Sequence, residues 1–204
     1  MATIKNIIFD LGGVLLNLDT HITRTAFIKL GLTSIDDLFH VGYAASFFKE
    51  YETGSITDDQ FVQDAMNLCR PGTTKQQVLD AWNGMLLDFP QERVQFLDTL
   101  KSKYRLFLFS NTNAIHLEAF QKSFESVYGR SMNSLFEKAW YSHLINLRKP
   151  DVAAFNYVIK NSDIEAASTL FIDDALVNVE GARLAGLQAL HLANGQTVLD
   201  LGLE

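Results

Sequence analysis

Residues 7–19, IIFDLGGVLLNLD, decide the fold of this 204-residue chain. The apolar run at its start predicts a buried parallel strand, which stops at Asp10. Gly12 and Gly13 follow, and glycines allow a sharp turn and a close approach of the backbone to a bound group. Taken alone, an Asp before two glycines is more often a simple turn. Because open α/β sheets bind ligands beyond the carboxyl ends of their strands, Asp10 is nevertheless a candidate site residue.

Other apolar runs of the chain also end in polar residues. The pattern predicts further short strands at residues 104–109, 139–141, 169–172 and 189–192. Ser110 follows the first of these runs, and Asp173 and Asp174 follow the third. Strands that alternate with helices form a parallel sheet with both faces covered. The sequence therefore predicts a doubly wound α/β fold in which these polar strand ends meet Asp10.

Residues 17–90, called the helical insertion below, have a different pattern. Apolar residues recur with a period near 3.6, and Thr57-Asp58-Asp59-Gln60 predicts a capping box at the start of one helix. This segment contains no convincing strand. We therefore expect a core domain made of residues 1–16 and 91–204, with residues 17–90 as a small helical domain.

Charge and composition narrow the possible functions. A net charge of −7 argues against a general nucleic-acid-binding protein, because phosphate backbones attract basic surfaces. The single cysteine, Cys69, excludes an intrachain disulfide. The apolar runs are too short to span a membrane, and no signal peptide precedes the first strand. We expect a cytoplasmic protein without a membrane partner, and the sequence leaves its oligomeric state open.

The converging side chains would suit phosphate chemistry. Asp10, Asp173 and Asp174 together form an oxygen cluster that favours a hard cation such as Mg²⁺. Lys149 would supply a positive charge for a phosphate or for the nucleophile. The hydroxyl of Ser110 and the N–H groups after it could bind phosphate oxygens. An Asp carboxylate can attack phosphorus and divide one difficult displacement into two easier ones.

Each of these residues also has a simpler interpretation. Asp173 and Asp174 could cap the next helix, because Asp favours helix N-termini. Ser110 could belong to an ordinary turn, and Lys149 could be a surface charge. The functional interpretation depends on all of them occurring together at the ends of matching strands.

Four segments resemble the motifs of the haloacid dehalogenase superfamily of hydrolases, in the order that this superfamily carries them. They are FDLGG with Asp10, LFSNTN with Ser110, RKPD with Lys149, and FIDDALVN with Asp173, Asp174 and Asn178. The helical insertion resembles the cap of this superfamily, so the resemblance covers nearly the whole chain. The sequences of the motifs most resemble those of the bacterial branch of sugar-phosphate phosphatases, which includes α-glucose-1-phosphate phosphatase.

The resemblance implies a magnesium site. Asp10 would be both the nucleophile and a ligand of Mg²⁺. The carbonyl of Gly12 and the carboxylate of Asp174 would be further ligands. Asp173 would stabilise these ligands without binding the metal itself, and Asn178 would act more distantly through water.

The resemblance also implies a phosphoryl site. Ser110 and Asn111 would bind the phosphoryl group, and Lys149 would bridge it and Asp10. The expected activity is Mg²⁺-dependent hydrolysis of a small phosphorylated metabolite through an aspartyl-phosphate, with a sugar phosphate as the favoured substrate.

One position departs from the pattern of the superfamily. Many of its phosphatases carry a second Asp two residues after the nucleophile as general acid and base, and this chain has Gly12 there. Loss of such a group costs about 10²–10⁴-fold in rate. Either the enzyme is slow, or its leaving group is good, or another residue supplies the proton. Asp19 and His21 are candidates, although a surface role in the helical insertion is favoured for both, as it is for His40.

Two alternatives stay open at this level. L-2-haloacid dehalogenases share the core and the Asp nucleophile but need no metal, which would leave Asp173 and Asp174 hard to justify. A non-catalytic protein that binds a ligand with the same fold is the other alternative. A phosphomutase is less favoured, because it depends on the acid/base residue that Gly12 replaces.

Overall fold

The computed structural model of the protein describes residues 3–33, 35, 47–193 and 195–203. Its described strands form one parallel sheet in the order β3-β2-β1-β4-β5. They are β1 (Asn6–Phe9), β2 (Arg105–Ser110), β3 (Lys138–Tyr141), β4 (Thr169–Asp173) and β5 (Gln188–His191). All the predicted strands are present, and the α/β fold class is confirmed. His40 lies outside the described residues.

The helices lie between and around these strands. They are α1 (Thr20–Lys29), α2 (Phe47–Glu52), α3 (Asp58–Leu68), α4 (Lys75–Asn83), α5 (Gln91–Leu100), α6 (Ala114–Tyr128), α7 (Ser142–Ile145), α8 (Val152–Asn161) and α9 (Leu176–Leu184). None of the helices in the described residues has the length and apolar character needed to span a membrane.

Both faces of the sheet are covered, because successive residues of a strand point to opposite sides. Ile7 and Phe9 of β1 pack in an apolar cluster with residues of α5 and α6. Ile8 packs on the other face, in a cluster with residues of α8 and α9. The strands are therefore buried on both faces, as a doubly wound sheet requires.

The strand order fixes where a ligand can bind. From the central strand β1 the chain moves outward to β2 and β3, and then returns to the opposite side of β1 for β4 and β5. The carboxyl ends of β1 and β4 therefore flank the point where the direction of winding reverses. Open α/β sheets bind their ligands at such a point. Asp10 follows β1, and Asp173 is the last residue of β4.

The described part of the helical insertion has an apolar cluster of its own. Phe61 lies at its centre, and the centroid of its ring is 4.2 Å from that of Tyr51 and 4.9 Å from that of Trp82. Thr57 caps α3 by accepting the N–H of Gln60, as predicted. The other half of the predicted capping box is not formed, because the Gln60 side chain donates to Asp64 Oδ1 at 2.8 Å. A complete capping box, which the sequence analysis missed, is formed at the start of α4 by Thr74 and Gln77.

The two ends of the helical insertion run beside each other. The N–H of Asn17 donates to the carbonyl of Asp88 at 2.9 Å, and the N–H of Leu87 donates to the carbonyl of Asn17 at 3.0 Å. Leu18 and Leu86 form an isolated antiparallel bridge, although no strand was predicted there. The chain thus enters and leaves the insertion through one short paired connection. The division into two domains stays a prediction.

We predict that Phe155→Ala destabilises the protein strongly. Phe155 is fully buried, and its ring makes edge contacts with Phe109 and Phe171 at 5.6 and 5.1 Å between centroids. Removing such a ring should lower the free energy of unfolding by about 3–5 kcal/mol. Leu184→Ala is the control, because Leu184 is 78% exposed. Urea denaturation measures both variants, and equal losses would contradict this account of the core.

Candidate active site

A buried lysine joins two of the predicted carboxylates. The Lys149 Nζ lies 2.7 Å from Asp10 Oδ1 and 2.7 Å from Asp173 Oδ2. The lysine side chain is 1% exposed, and its ammonium lies over the rings of Phe109 and Phe171, at 5.6 and 5.4 Å from their centroids. Apolar walls thus surround the ammonium except where the carboxylates meet it. The strand ends after β1 and β4 therefore converge on Lys149.

The charges of this group are interdependent. Burial raises the pKa of Asp10, and Lys149 opposes this shift while Asp173 adds to it. Burial alone would lower the pKa of Lys149, but Asp10 and Asp173 outweigh it and raise that pKa. Burial and Asp173 also raise the pKa of Asp174. One ammonium thus faces three carboxylates, and a cation bound beside them would relieve the remaining repulsion.

Asp173 is fully engaged by protein donors. Its Oδ1 accepts the N–H of Ala175 at 2.8 Å and the amide of Asn178 at 3.0 Å. Its Oδ2 accepts the Lys149 ammonium at 2.7 Å and the same Asn178 amide at 3.1 Å. Each oxygen therefore has two donors, which leaves Asp173 to orient Lys149. The structure places Asn178 directly against Asp173, a contact that the sequence analysis did not anticipate.

Asp10 and Asp174 are the carboxylates with capacity for a cation. One oxygen from each of Asp10, Asp173 and Asp174 lies within 4.8 Å of the other two. Because the oxygens of Asp173 are occupied, a cation would be held by Asp10 and Asp174. Gly12 belongs to the turn that follows Asp10. An all-oxygen set with one or two carboxylates suits Mg²⁺, which keeps several waters and binds substrate phosphate.

Gly13 makes room for the Asp174 carboxylate. Its φ is +72°, in the left-handed region that favours glycine. A Cβ atom on Gly13 would lie 2.2 Å from Asp174 Oδ2, which is closer than any real contact. His191, at the end of β5, donates from Nε2 to the carbonyl of Asp174 at 2.9 Å. The sequence analysis missed this contact, because His191 belongs to none of the four motifs.

The side chain of Asn111 is hydrogen-bonded to the backbone of Lys149, and its predicted role in binding the phosphoryl group stays a prediction. Its Nδ2 donates to the carbonyl of Lys149 at 2.9 Å, and its Oδ1 accepts the N–H of Lys149 at 2.9 Å. This pair of bonds holds the backbone that carries the catalytic candidate Lys149, so the amide is already in use. The Ser110 hydroxyl is buried and makes one long contact of 3.5 Å, to the carbonyl of Asn111. Ser110 therefore keeps the capacity to bind an anion.

A cavity of about 250 Å³ lies beside this group. The strand-end residues Gly12 and Ser110 line it on one side. Residues of the helical insertion line the other side and are mostly apolar, among them Leu18, Trp82, Met85 and Leu86. Glu52, at the end of α2, also lines it. Asp19 and His21 are not among the lining residues, and Asp19 instead caps α1 by accepting the N–H of His21 at 2.9 Å.

The Asp10, Lys149 and Asp173 group lies where the winding of the sheet reverses, which is where open α/β sheets bind their ligands. The model of the haloacid dehalogenase-like hydrolase family matches residues 4–186, and the chain belongs to this family. The predicted superfamily and its enzyme class, a hydrolase, are confirmed.

Known proteins resemble the chain over nearly its whole length. It is 31% identical over 193 residues to D-ribitol-5-phosphate phosphatase of Bacteroides thetaiotaomicron, covering 94% of this chain and 93% of the relative. A structure of a HAD family enzyme from B. thetaiotaomicron, in complex with magnesium and inorganic phosphate, superposes with a TM-score of 0.90 at 31% identity, covering 98% and 99% of the two chains. The structure of a predicted HAD-like family hydrolase of Porphyromonas gingivalis superposes with a TM-score of 0.86 at 33% identity, covering 96% of this chain and 94% of the other.

We predict that Gly13→Ala weakens the binding of Mg²⁺. The new methyl group would displace the Asp174 carboxylate, so isothermal titration with MgCl₂ should show at least about a tenfold loss, or 1.4 kcal/mol. Gly72→Ala is a matched control. Gly72 also has a left-handed φ, of +88°, but nothing lies within 4 Å of the added Cβ. Equal Mg²⁺ affinities of the two variants would contradict the placement of the cation beside Asp174.

Proposed function

We propose that this protein is a Mg²⁺-dependent phosphatase that hydrolyses a small phosphomonoester, of the sugar or sugar-alcohol phosphate class, through an aspartyl-phosphate on Asp10. The observation that carries the proposal is the buried Lys149 ammonium, shared between Asp10 and Asp173 with Asp174 beside them. The relatives support it, since one is named for ribitol 5-phosphate and another is bound to magnesium and phosphate.

The residues divide the reaction between them. An oxygen of Asp10 attacks phosphorus while the bond to the leaving oxygen breaks, and water later displaces Asp10 from the phosphoryl group. Lys149 holds the attacking carboxylate in place and balances the negative charge of the phosphoryl group. Ser110 and the N–H groups after it bind phosphoryl oxygens. Mg²⁺, held by Asp10, the carbonyl of Gly12 and Asp174, would neutralise charge as the phosphoryl group is transferred.

The cavity supports a small leaving group. Its volume of about 250 Å³ is below the range of pockets for drug-sized ligands, about 300–1,000 Å³. Because Gly12 and Ser110 line it, a group in the cavity would be next to a phosphoryl group on Asp10. Sugar and sugar-alcohol phosphates have leaving groups of suitable size.

The helical insertion would close over this cavity as a cap. Its residues form much of the cavity wall, while its two ends meet in one paired connection at Asn17 and Asp88. Opening about this connection would admit the substrate. Closure would keep bulk water from the aspartyl-phosphate until hydrolysis.

We predict that phosphate release from a panel of sugar phosphates, sugar-alcohol phosphates, nucleotides and p-nitrophenyl phosphate identifies a substrate, and that Asp10→Asn abolishes its turnover. The amide retains the size of the side chain but loses the nucleophilic carboxylate. Asp80→Asn is the matched control, because Asp80 is exposed on α4. Retained turnover by Asp10→Asn would refute Asp10 as the nucleophile.

We also predict that EDTA abolishes the activity and that added MgCl₂ restores it. A metal ion is needed to offset the carboxylates that surround the phosphoryl site. Hydrolysis of 2-haloacids that survives EDTA would instead favour the metal-independent dehalogenase. Failure of every phosphate ester, together with tight binding of one of them, would favour a non-catalytic protein.

A further inference from the structure

We propose that Glu52 is the general acid and base of the reaction, in place of the carboxylate that many members of the superfamily carry at the position of Gly12. This inference rests on the proposed phosphatase function. The juxtaposition that supports it is a Glu at the end of α2 that lines the same cavity as Gly12 and Ser110. Among the described residues that line this cavity, Glu52 has the single carboxyl group.

The backbone of Glu52 is fastened to the loop after β2. Its carbonyl accepts the hydroxyl of Ser142 at 2.7 Å, and the same hydroxyl oxygen accepts the N–H of Thr112 at 2.9 Å. The next turn is tied down as well, because Asn146 Nδ2 donates to the carbonyl of Thr53 at 2.8 Å. The end of α2 is thus held against the segment that begins at Ser110.

The carboxyl group of Glu52 is oriented by the neighbouring catalytic loop. Its Oε2 lies 2.9 Å from Arg148 Nη2, and Arg148 immediately precedes Lys149. The side chain of Glu52 is 30% exposed, and Glu52 lines the cavity. Burial raises the pKa of this carboxyl group, while Arg148 and Lys149, the charged groups that face it, oppose the rise. The group is therefore suited to hold a proton in one step and release it in another.

The other titratable side chain that lines the cavity, His116, already has a hydrogen-bond partner at each ring nitrogen. His116 Nε2 donates to the carbonyl of Trp82 at 3.0 Å, so its Nδ1 is an acceptor and meets the amide of Asn113 at 3.2 Å. Burial lowers the pKa of His116 to about 4. This imidazole is neutral, and both of its nitrogens are occupied. Glu52 remains as the proton donor of the cavity.

The proposed proton transfers are balanced over one turnover. As the Asp10 oxygen bonds to phosphorus, the bond from phosphorus to the leaving oxygen breaks, and its electron pair stays on that oxygen. The proton of Glu52 moves to this oxygen, which leaves as an alcohol. The Glu52 carboxylate then takes a proton from the water that attacks the aspartyl-phosphate. The bond from phosphorus to Asp10 breaks, and both side chains return to their starting states.

Leaving-group dependence in the first turnover tests this role. A rapid-quench experiment compares Glu52→Gln with the wild-type enzyme, on p-nitrophenyl phosphate and on the best alkyl phosphate of the panel. The alkoxide needs a proton as it leaves, whereas p-nitrophenolate does not. We expect first-turnover release of the alcohol to fall by about 10²–10⁴-fold, while the burst of p-nitrophenolate changes by less than about threefold.

The control is Glu50→Gln, which makes the same change at an exposed position of α2 and should leave both first turnovers unchanged. If Glu52→Gln slows both substrates equally, or slows neither, the acid role is refuted. Should thermal unfolding show that Glu52→Gln is not folded, Glu52→Asp replaces it. The shorter side chain withdraws the carboxyl group and must give the same selective loss of alcohol release.

This result is distinguishable from failure of the proposed function. If the wild-type enzyme releases no phosphate from any ester, the phosphatase proposal fails before a variant is made. If the wild-type enzyme is active and Asp10→Asn is not, the phosphatase proposal stands, and the selectivity of Glu52→Gln decides the role of Glu52 alone.

Discussion

A single ammonium group organises this site. Lys149 is almost completely buried, and such a charge is stable only when it is paired and hydrogen-bonded. Asp10 and Asp173 provide that pairing from the ends of two neighbouring strands. The same contacts hold the Asp10 carboxylate in place before any substrate arrives, and the proposed attack on phosphorus would require that preorganisation. The aromatic rings of Phe109 and Phe171 exclude water from the ammonium and strengthen its interactions.

The order of the strands in the sheet brings these side chains together. Because β1 and β4 are parallel neighbours in register, the residues that follow them emerge side by side. β2, on the other side of β1, adds Ser110, and the loop before α8 adds Lys149. The helical insertion then contributes the opposite wall of the cavity. In the proposed reaction, the strand ends hold the nucleophile, while the insertion forms the wall that the leaving group would contact and contributes Glu52.

The sequence predicted the strands and the residues at their ends because both depend on local patterns. Apolar runs that stop at Asp10 and at Asp173 are visible without knowledge of the fold. The clamp formed by Asn111 and the support from His191 were missed, since they arise from contacts between distant loops. Glu52 could not be found from spacing either, because its place in the cavity depends on how α2 packs against the core. A glycine at a catalytic position was the one available sign that such a residue should be sought.

The most direct test of the account is chemical trapping of the intermediate. The wild-type enzyme, turning over its best substrate with Mg²⁺, is quenched and treated with borohydride, which reduces an acyl phosphate to an alcohol, and the peptide that contains residues 6–19 is sequenced by mass spectrometry. The account predicts that residue 10 alone is converted from aspartate to homoserine, and only when substrate is present. Conversion at another residue, or none during active turnover, would contradict the claim that Lys149 holds Asp10 ready to attack phosphorus.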